Sequence, residues 1–257
     1  MKYIQDDFKI LTVNKLNSTA FDFTIEAPEI AERAKAGQFV NILCDGKTLR
    51  RPISLCGIDK SKGTLRIVFE VRGEGTLWLS ERKEGDIINV LGPLGNGFPT
   101  DEKYENVVFV GGVIGVPPLL ETSKVYGKKA DAILGFRSKS ALILEDDFKE
   151  VCENVFVTTD DGSYGHHGFV TDILKERLEK PCDAVFACGP GPMLKNVAAM
   201  AEAKGIPCFV SLEERMGCGI GACLVCACKT KEKDGEHYRH VCKNGPVFDS
   251  REVVWNG

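Results

Sequence analysis

No run of about 18 apolar residues occurs anywhere in the 257-residue sequence, which excludes a membrane-spanning helix. The opening stretch MKYIQDDFKILTV sets two acidic residues ahead of its apolar run and lacks the uninterrupted apolar core of a signal peptide, so the expectation is a soluble, cytoplasmic protein. A large charge excess is also missing. Lys and Arg number 33 against 37 Asp and Glu, a formal charge of -4, and no basic field is available to attract nucleic acid. Histidine is scarce: His166, His167, His237 and His240 are the whole set, and none pairs with a Ser or Cys nucleophile in a way that points to hydrolysis. With 43% hydrophobic and 27% charged residues, the composition is that of a globular chain, not a disordered or collagen-like one.

Cysteine is what the chain has in excess. Eleven would suit a secreted disulfide framework in a much shorter sequence, but no export signal is present and the spacing is uneven. Cys44, Cys56, Cys152, Cys182, Cys188 and Cys208 are scattered, five of them in apolar strand-like surroundings where a reduced Cys packs as a small hydrophobe. The other five fall in GCGIGACLVCACKTKEKDGEHYRHVC. Here Cys218 and Cys223 make C-x4-C, Cys223 and Cys226 make C-x2-C, and Cys242 follows sixteen positions later, the plant-type spacing for a 2Fe-2S cluster. A loop whose backbone amides can turn toward sulfur needs small residues, and Gly217, Gly219, Gly221 and Ala222 supply them. The competing reading is a structural zinc site. Zinc motifs usually repeat the C-x2-C pair and rarely open with C-x4-C in a Gly-rich loop. Cys228 is left as a neighbour of the four ligands.

The length suggests two domains and a small appendage. From residue 8 to about 92, short alternating segments such as FKILTVNKL, AFDFTIEA and TLRIVFEVR are punctuated by Gly and Pro, which predicts an antiparallel barrel. Within it, TLWLSERKEGD has helical spacing, so a short helix is expected near Thr76. The cluster GPLGNGFP marks a domain edge near residue 100. Beyond it, apolar runs such as NVVFVGG and DAVFACG alternate with helical stretches, the pattern of a parallel sheet with crossover helices. From Ser211 onward the periodicity fails, and so short a tail needs a metal to hold a fold.

In the barrel, Arg51-Pro52-Ile53-Ser54 lies between strands and Gly75-Thr76 opens the short helix. An Arg fork, a hydroxyl and the amides of a helix start suit a diphosphate-bearing flavin, although alone the tetrapeptide reads equally well as a turn at a barrel rim. Gly111-Gly112-Val113-Ile114-Gly115 follows a strand and precedes a helix, and Cys188-Gly189-Pro190-Gly191-Pro192-Met193 follows another. Two such loops at strand C-termini make a crevice for a dinucleotide. The glycine loop alone is equally consistent with tight helix-sheet packing, Cys188 with a packing role, and Asp160-Asp161-Gly162-Ser163 with a simple turn. Phe136-Arg137-Ser138-Lys139 stands where a 2'-phosphate could be read, so charge alone does not choose NADH over NADPH.

The order of these features, with the stretches RRPISL, GEGTLWLS, GPLGNGFP, IGVPPLL, CGPGPML, EERMGCGIGACLVC and HVCKNGPVF, resembles the ferredoxin-NADP reductase superfamily over essentially the whole length. Within it, the chain is closely similar to the electron-transfer subunits of NAD-linked (B-type) dihydroorotate dehydrogenases. The resemblance implies an FAD-binding antiparallel β-barrel over 1–100, a Rossmann-like NAD-binding parallel-sheet domain over 101–210 and a 2Fe-2S subdomain over 211–257. It implies FAD on Arg51, Pro52, Ile53, Ser54, Gly75 and Thr76, with Val68, Phe69 and Glu70 lining the site, and NAD(H) near Gly112, Gly115, Cys188, Gly189 and Pro190. The cluster falls to Cys218, Cys223, Cys226 and Cys242. It implies a partner, the FMN-containing catalytic subunit, in a two-plus-two heterotetramer. Electrons would pass from it through the cluster and FAD to NAD+ in pyrimidine biosynthesis, with no general acid or base and no dihydroorotate-binding residue in this chain.

Two departures stand out. The family usually has Tyr-Arg where this chain has Phe69-Glu70, a loss that Arg72 is placed to make good, and GGGIG where this chain has Val113 in the loop. Two other readings stay open: the small subunit of an electron-bifurcating transhydrogenase or a hydrogenase diaphorase, and a redox-sensing or zinc-stabilised module without turnover.

Overall fold

Period-two burial organises the first part of the chain. In the strand β1 (Ile4–Lys15) Phe8 and Ile10 are buried between exposed polar neighbours, and in β5 (Thr64–Glu70) Leu65, Ile67 and Phe69 point one way while Arg66 and Glu70 point the other. With β2 (Ala20–Glu26), β3 (Phe39–Ile42), β4 (Arg51–Asp59) and β6 (Ile87–Leu94) they close a six-stranded barrel in the order β1-β2-β5-β4-β3-β6, every pair antiparallel. Closure leaves no strand edge unpaired. The interior is filled by Ile10, Phe23, Ile25, Val40, Ile42, Leu55, Leu65, Ile67 and Val90, and α1 (Pro28–Arg33) adds Ile30 and Ala31 to the same core. The expected short helix is α2 (Glu74–Ser80), which starts two residues before Thr76 because the Thr76 hydroxyl accepts the N–H groups of Arg72 and Gly73 at its first turn.

The computed structural model describes residues 3–100 and 104–255, so the expected domain boundary at residues 100 and 101 borders a segment, 101–103, outside the described residues. Six parallel strands of a seven-stranded sheet follow: β7 (Val107–Gly112), β8 (Ala130–Phe136), β9 (Asn154–Thr159), β10 (His166–His167), β11 (Ala184–Cys188) and β12 (Cys208–Ser211). The central strands β7, β8 and β11 read as nearly unbroken apolar runs because helices cover both faces: α3 (Pro117–Tyr126), α4 (Glu145–Val151), α5 (Val170–Arg177) and α6 (Gly191–Ala203). Val108, Val110, Ile133, Leu174, Val185 and Val197 share one core. Phe109, Phe186 and Phe209 stack across three neighbouring strands, with ring centroids 5.1 and 5.6 Å apart.

The tail holds a two-stranded ribbon, β13 (Ala227–Glu232) with β14 (Gly235–His240). A short last strand, β15 (Val247–Asp249), adds antiparallel to β12 and completes the sheet order β10-β9-β8-β7-β11-β12-β15. Contacts divide the chain into two units. One is Met1–Gly97 with Glu213–Cys228 and Arg239–Pro246; the other is Phe98–Leu212 with Lys229–Tyr238 and Val247–Gly257. Among the described residues no helix is long and apolar enough to cross a membrane.

Candidate cofactor sites

All four expected cluster ligands belong to the barrel's unit. Their sulfurs stand in two pairs: Cys218 Sγ and Cys223 Sγ are 3.4 Å apart, and Cys226 Sγ and Cys242 Sγ 3.2 Å. Both separations far exceed the roughly 2.05 Å of a disulfide, and every cysteine is a free thiol. The Cys218–Cys223 loop winds around its first sulfur, with the N–H groups of Ile220, Ala222 and Cys223 donating to Cys218 Sγ at 3.5, 3.2 and 3.4 Å. Burial works against the Cys218 thiolate, but these donors outweigh it and bring the group down to about 6. Burial and the neighbouring Cys226 thiol push Cys242 upward. Four free thiols gathered in two close pairs are a donor set that a metal completes by displacing protons.

One tetrahedral zinc is a poor match for this arrangement. Ligands about 2.3 Å from a single ion stand within about 4.6 Å of one another. Among the described residues, the one His, Cys, Asp and Glu group that gathers three ligand atoms within 4.8 Å is Glu232, Asp234 and His237, on the exposed β13–β14 ribbon. Two thiol pairs suit two metals, with two sulfurs on each. Cys228 lies in β13, 9% exposed, its thiol raised to about 11 chiefly by burial, and it stands outside both pairs.

On the barrel, Arg51 and Gly75 converge. A Cβ at Gly75 would lie 2.1 Å from Arg51 Nε, so glycine is what lets the guanidinium rest over the first turn of α2. Arg51 is anchored there by a hydrogen bond from Nη1 to the Leu49 carbonyl. Cation, free helix-start amides and the Thr76 cap make a cradle for a phosphate. On β4 the side chain of Ile53 enters the barrel core, which leaves its neighbours Pro52 and Ser54 on the outer face. Phe69 is likewise inside, stacked on Phe21 at 5.8 Å and edge-on to Phe23 at 5.1 Å. Ile53 and Phe69 can therefore offer only backbone to a ligand on the outer face. Val68 and Glu70 alternate with Phe69 and face outward. Arg72 is committed to Glu70, with Nε 2.8 Å from Oε2, so the pair presents little net charge.

The sheet reverses its winding between β7 and β11, and the loops after those two strands meet there. A Cβ at Gly189 would lie 3.1 Å from Gly112 Cα, and one at Gly115 would lie 2.3 Å from the Cys188 carbonyl oxygen. In front of this junction a cleft of about 360 Å³ is lined by Gly112, Val113, Pro190 and Met193 on one side and by Gly135, Phe136, Thr158, Asp160 and Phe169 on the other. Gly115, Cys188 and Gly189 stand behind the lining, where they let the two loops approach; Cys188 is 3% exposed. Val113 has φ +52°, a left-handed conformation that a β-branched residue adopts only under strain.

The family model for the iron-sulfur cluster binding domain of dihydroorotate dehydrogenase B matches residues 213–254. Over the whole length, the chain is 40% identical to the electron transfer subunit of dihydroorotate dehydrogenase B (NAD(+)) from Geobacillus sp. (strain WCH70), covering 97% of this chain and 98% of that one. It is 42% identical to the corresponding subunit of Caldanaerobacter subterraneus subsp. tengcongensis, covering 96% and 97%. The chain belongs to this family of electron-transfer subunits. Its fold also matches a chain of the NADH-dependent reduced ferredoxin-NADP oxidoreductase, solved in a study of flavin-based electron bifurcation, with TM-score 0.85 and 34% identity over 96% of this chain and 90% of that one. A Neisseria gonorrhoeae ferredoxin NADP+ reductase shares the fold at TM-score 0.64 and 20% identity over 80% and 92%.

For an electron-transfer subunit of dihydroorotate dehydrogenase B, motif reading picked out the two loops that meet after β7 and β11 and, on the far wall of the cleft, only Phe136 and Asp160. Gly135, Thr158 and Phe169 come from strand ends and a helix start with no shared motif. Only their positions just before or at the end of predicted strands could have flagged them.

Proposed function

We propose that this chain carries electrons between an FMN-containing dihydroorotate dehydrogenase catalytic subunit and NAD+, in the cytoplasmic synthesis of pyrimidines, within a heterotetramer of two subunits of each kind. The observation that carries the reading is the pair of thiol pairs, Cys218 with Cys223 and Cys226 with Cys242, in the same unit as the Arg51–Gly75 cradle. These thiols would hold a 2Fe-2S cluster, and Arg51, Gly75, Thr76, Pro52 and Ser54 would hold FAD. When bound, the flavin supplies exchange between one two-electron and two one-electron steps, and the cluster supplies the one-electron relay.

The protein's own residues bind and orient. Arg51 and the α2 amides fix the flavin's phosphates, while Val68 and Glu70 flank it on the outer face of the barrel. Gly112 and Pro190 shape the near wall of the cleft that takes NAD(H), and no side chain needs to carry a proton. Asp160 in the lining of that cleft adds an acidic side chain, which disfavours the extra negative charge of NADPH and so favours NADH. In the cluster loop Leu224 is 76% exposed and Val225 57%, an apolar surface beside the thiols that suits docking of the catalytic subunit.

The test is co-expression with an FMN-containing catalytic subunit. The expected result is co-purification, flavin and iron-sulfur absorption bands, and orotate-dependent oxidation of NADH; Leu224→Asp should keep the bands and lose the co-purification and the orotate-dependent activity. A colourless protein, or one loaded with FAD and iron that neither takes electrons from NADH nor joins the catalytic subunit, would refute it. The 34% identity to a bifurcating oxidoreductase chain favours a second reading, electron delivery in such an enzyme. Reduction of NADP+ by NADH together with reduced ferredoxin, in the complex with the partner it then requires, would select it.

A further inference from the structure

Asn41 is 1% exposed, and neither its Nδ2 nor its Oδ1 has a hydrogen-bond partner among the described residues. An amide so placed is an exception among buried polar groups. Its surroundings say what it faces. On β3, Val40 and Ile42 fill the barrel core, so Phe39 and Asn41 lie on the outer face. Directly opposite residues of an antiparallel pair share a face, and the register sets Asn41 against Pro52 and Phe39 against Ser54. Asn41 thus stands on the same outer face as the two side chains assigned to the flavin.

Its other neighbour is the cluster loop. A Cβ at Gly219 would lie 2.5 Å from Asn41 Nδ2 and 3.4 Å from Leu94, so the Asn41 amide is pressed against the backbone of the Cys218–Cys223 loop. Gly219 has φ +75°, which lets the chain turn its amides toward Cys218 while lying flat on β3 and β6. Leu94 and Phe39 make the rest of that contact surface apolar, and an Ile or Leu at position 41 would complete it. A polar group kept there, unpaired, points to a partner that arrives with a cofactor.

We propose that Asn41 is the positioning residue between the flavin and the iron-sulfur centre, its Nδ2 donor serving the sulfur side of the cluster loop once the cluster is bound. This rests on the assignment of the cluster to Cys218, Cys223, Cys226 and Cys242. Hydrogen bonds to cluster sulfurs stabilise the reduced, more negative state and raise its potential. Loss of the donor therefore lowers the potential.

The test uses the full complex with its catalytic subunit, in the forms wild type, Asn41→Leu and Asn41→Asp. Iron and FAD contents and the electron paramagnetic resonance spectrum of the reduced cluster come first, then its potential by redox titration. Wild type without a reducible cluster would defeat the ligand assignment itself. With the wild-type cluster in place, Asn41→Leu is expected to keep FAD and shift the resonance spectrum. It should also lower the cluster's reduction equilibrium about tenfold, about 59 mV for one electron. Asn41→Asp keeps the oxygen and size but loses the donor, and should shift the potential in the same direction even where the Leu variant assembles poorly. Unchanged spectrum and potential in both variants would overturn the proposal, as would a Leu variant whose only change is greater stability.

Discussion

Gly75→Ala separates ligand binding from folding at the flavin cradle. Gly75 sits in the first turn of α2, where alanine favours the helix by about 0.5–1 kcal/mol. The added methyl would lie 2.1, 2.5 and 2.6 Å from Arg51 Nε, Cζ and Nη2, so the guanidinium, the far end of a flexible side chain, must leave. With it goes the hydrogen bond to the Leu49 carbonyl, worth about 1 kcal/mol. These terms nearly cancel, and the melting temperature of FAD-free protein should move by no more than a few degrees. FAD binding has no such compensation. Losing one charge-assisted contact to phosphate costs about 1.5–3 kcal/mol, or roughly a 10- to 150-fold weaker complex. Titration of FAD-free protein, followed by quenching of flavin fluorescence, measures this against a melting curve of the same sample. FAD affinity within twofold of wild type would show that Arg51 does not hold the flavin from this position.

At the cluster, Cys242→Ser should abolish the iron-sulfur absorption bands and Cys228→Ser should leave them intact; loss in both would mean the ligand set is wrong. At position 113 the usual ranking of substitutions should invert. Alanine keeps the positive φ and its cost of about 1–2 kcal/mol, while glycine relieves it, so Val113→Gly should be more stable than Val113→Ala by about 1 kcal/mol in denaturant melts. Burial raises the thiols of Cys152 and Cys182 to about 11 and Cys208 to about 12 from an ordinary 9.0. An acid whose folded pKa is raised contributes its full stability below the unfolded value and loses it as pH rises toward the folded one. Stability should therefore fall between pH 9 and about 11, and these thiols should resist alkylation near neutrality; a flat stability profile above pH 9 would contradict that burial.

Legibility followed periodicity. The barrel could be read because its strands bury alternate residues, and the parallel sheet because its central strands β7 and β11 bury every residue. The same alternation in Leu65, Ile67 and Phe69 already placed Phe69 in the barrel core, a signal outweighed by the family's pattern at that position. Strand β3 has no alternation, since Phe39, Val40, Asn41 and Ile42 are all buried, two inside the barrel and two on its covered outer face. The role of Asn41 was invisible for that reason. β15 is three residues long, too short for any period, and its pairing to β12 depends on residues 36 or more positions away. The grouping of the four thiols was legible because it is written in the sequence spacing of Cys218, Cys223, Cys226 and Cys242, whereas the cleft's walls are assembled from the ends of separate strands.

The division of the chain into two units gives the sites a functional logic. The Arg51–Gly75 cradle and all four thiols belong to one unit, whereas every residue lining the cleft proposed for NAD(H) belongs to the other. Electron transfer between bound groups depends on a fixed separation, and membership of one compact unit supplies it. NAD(H) must bind and leave at every turnover, which requires only a cleft. Perturbations of the two should then be separable. Phe169 is 65% exposed at the edge of the cleft, a large apolar ring with little packing to lose. Phe169→Ala should therefore leave stability unchanged within about 0.5 kcal/mol, while the loss of one aromatic contact to the nucleotide, about 1–1.5 kcal/mol, should raise KM for NADH roughly 5- to 10-fold. The flavin and cluster spectra and the cluster's potential should stay at wild-type values. A change in cluster potential in this variant would mean that the cleft and the thiol loop are energetically coupled, and the separation of relay from exchange site would fail.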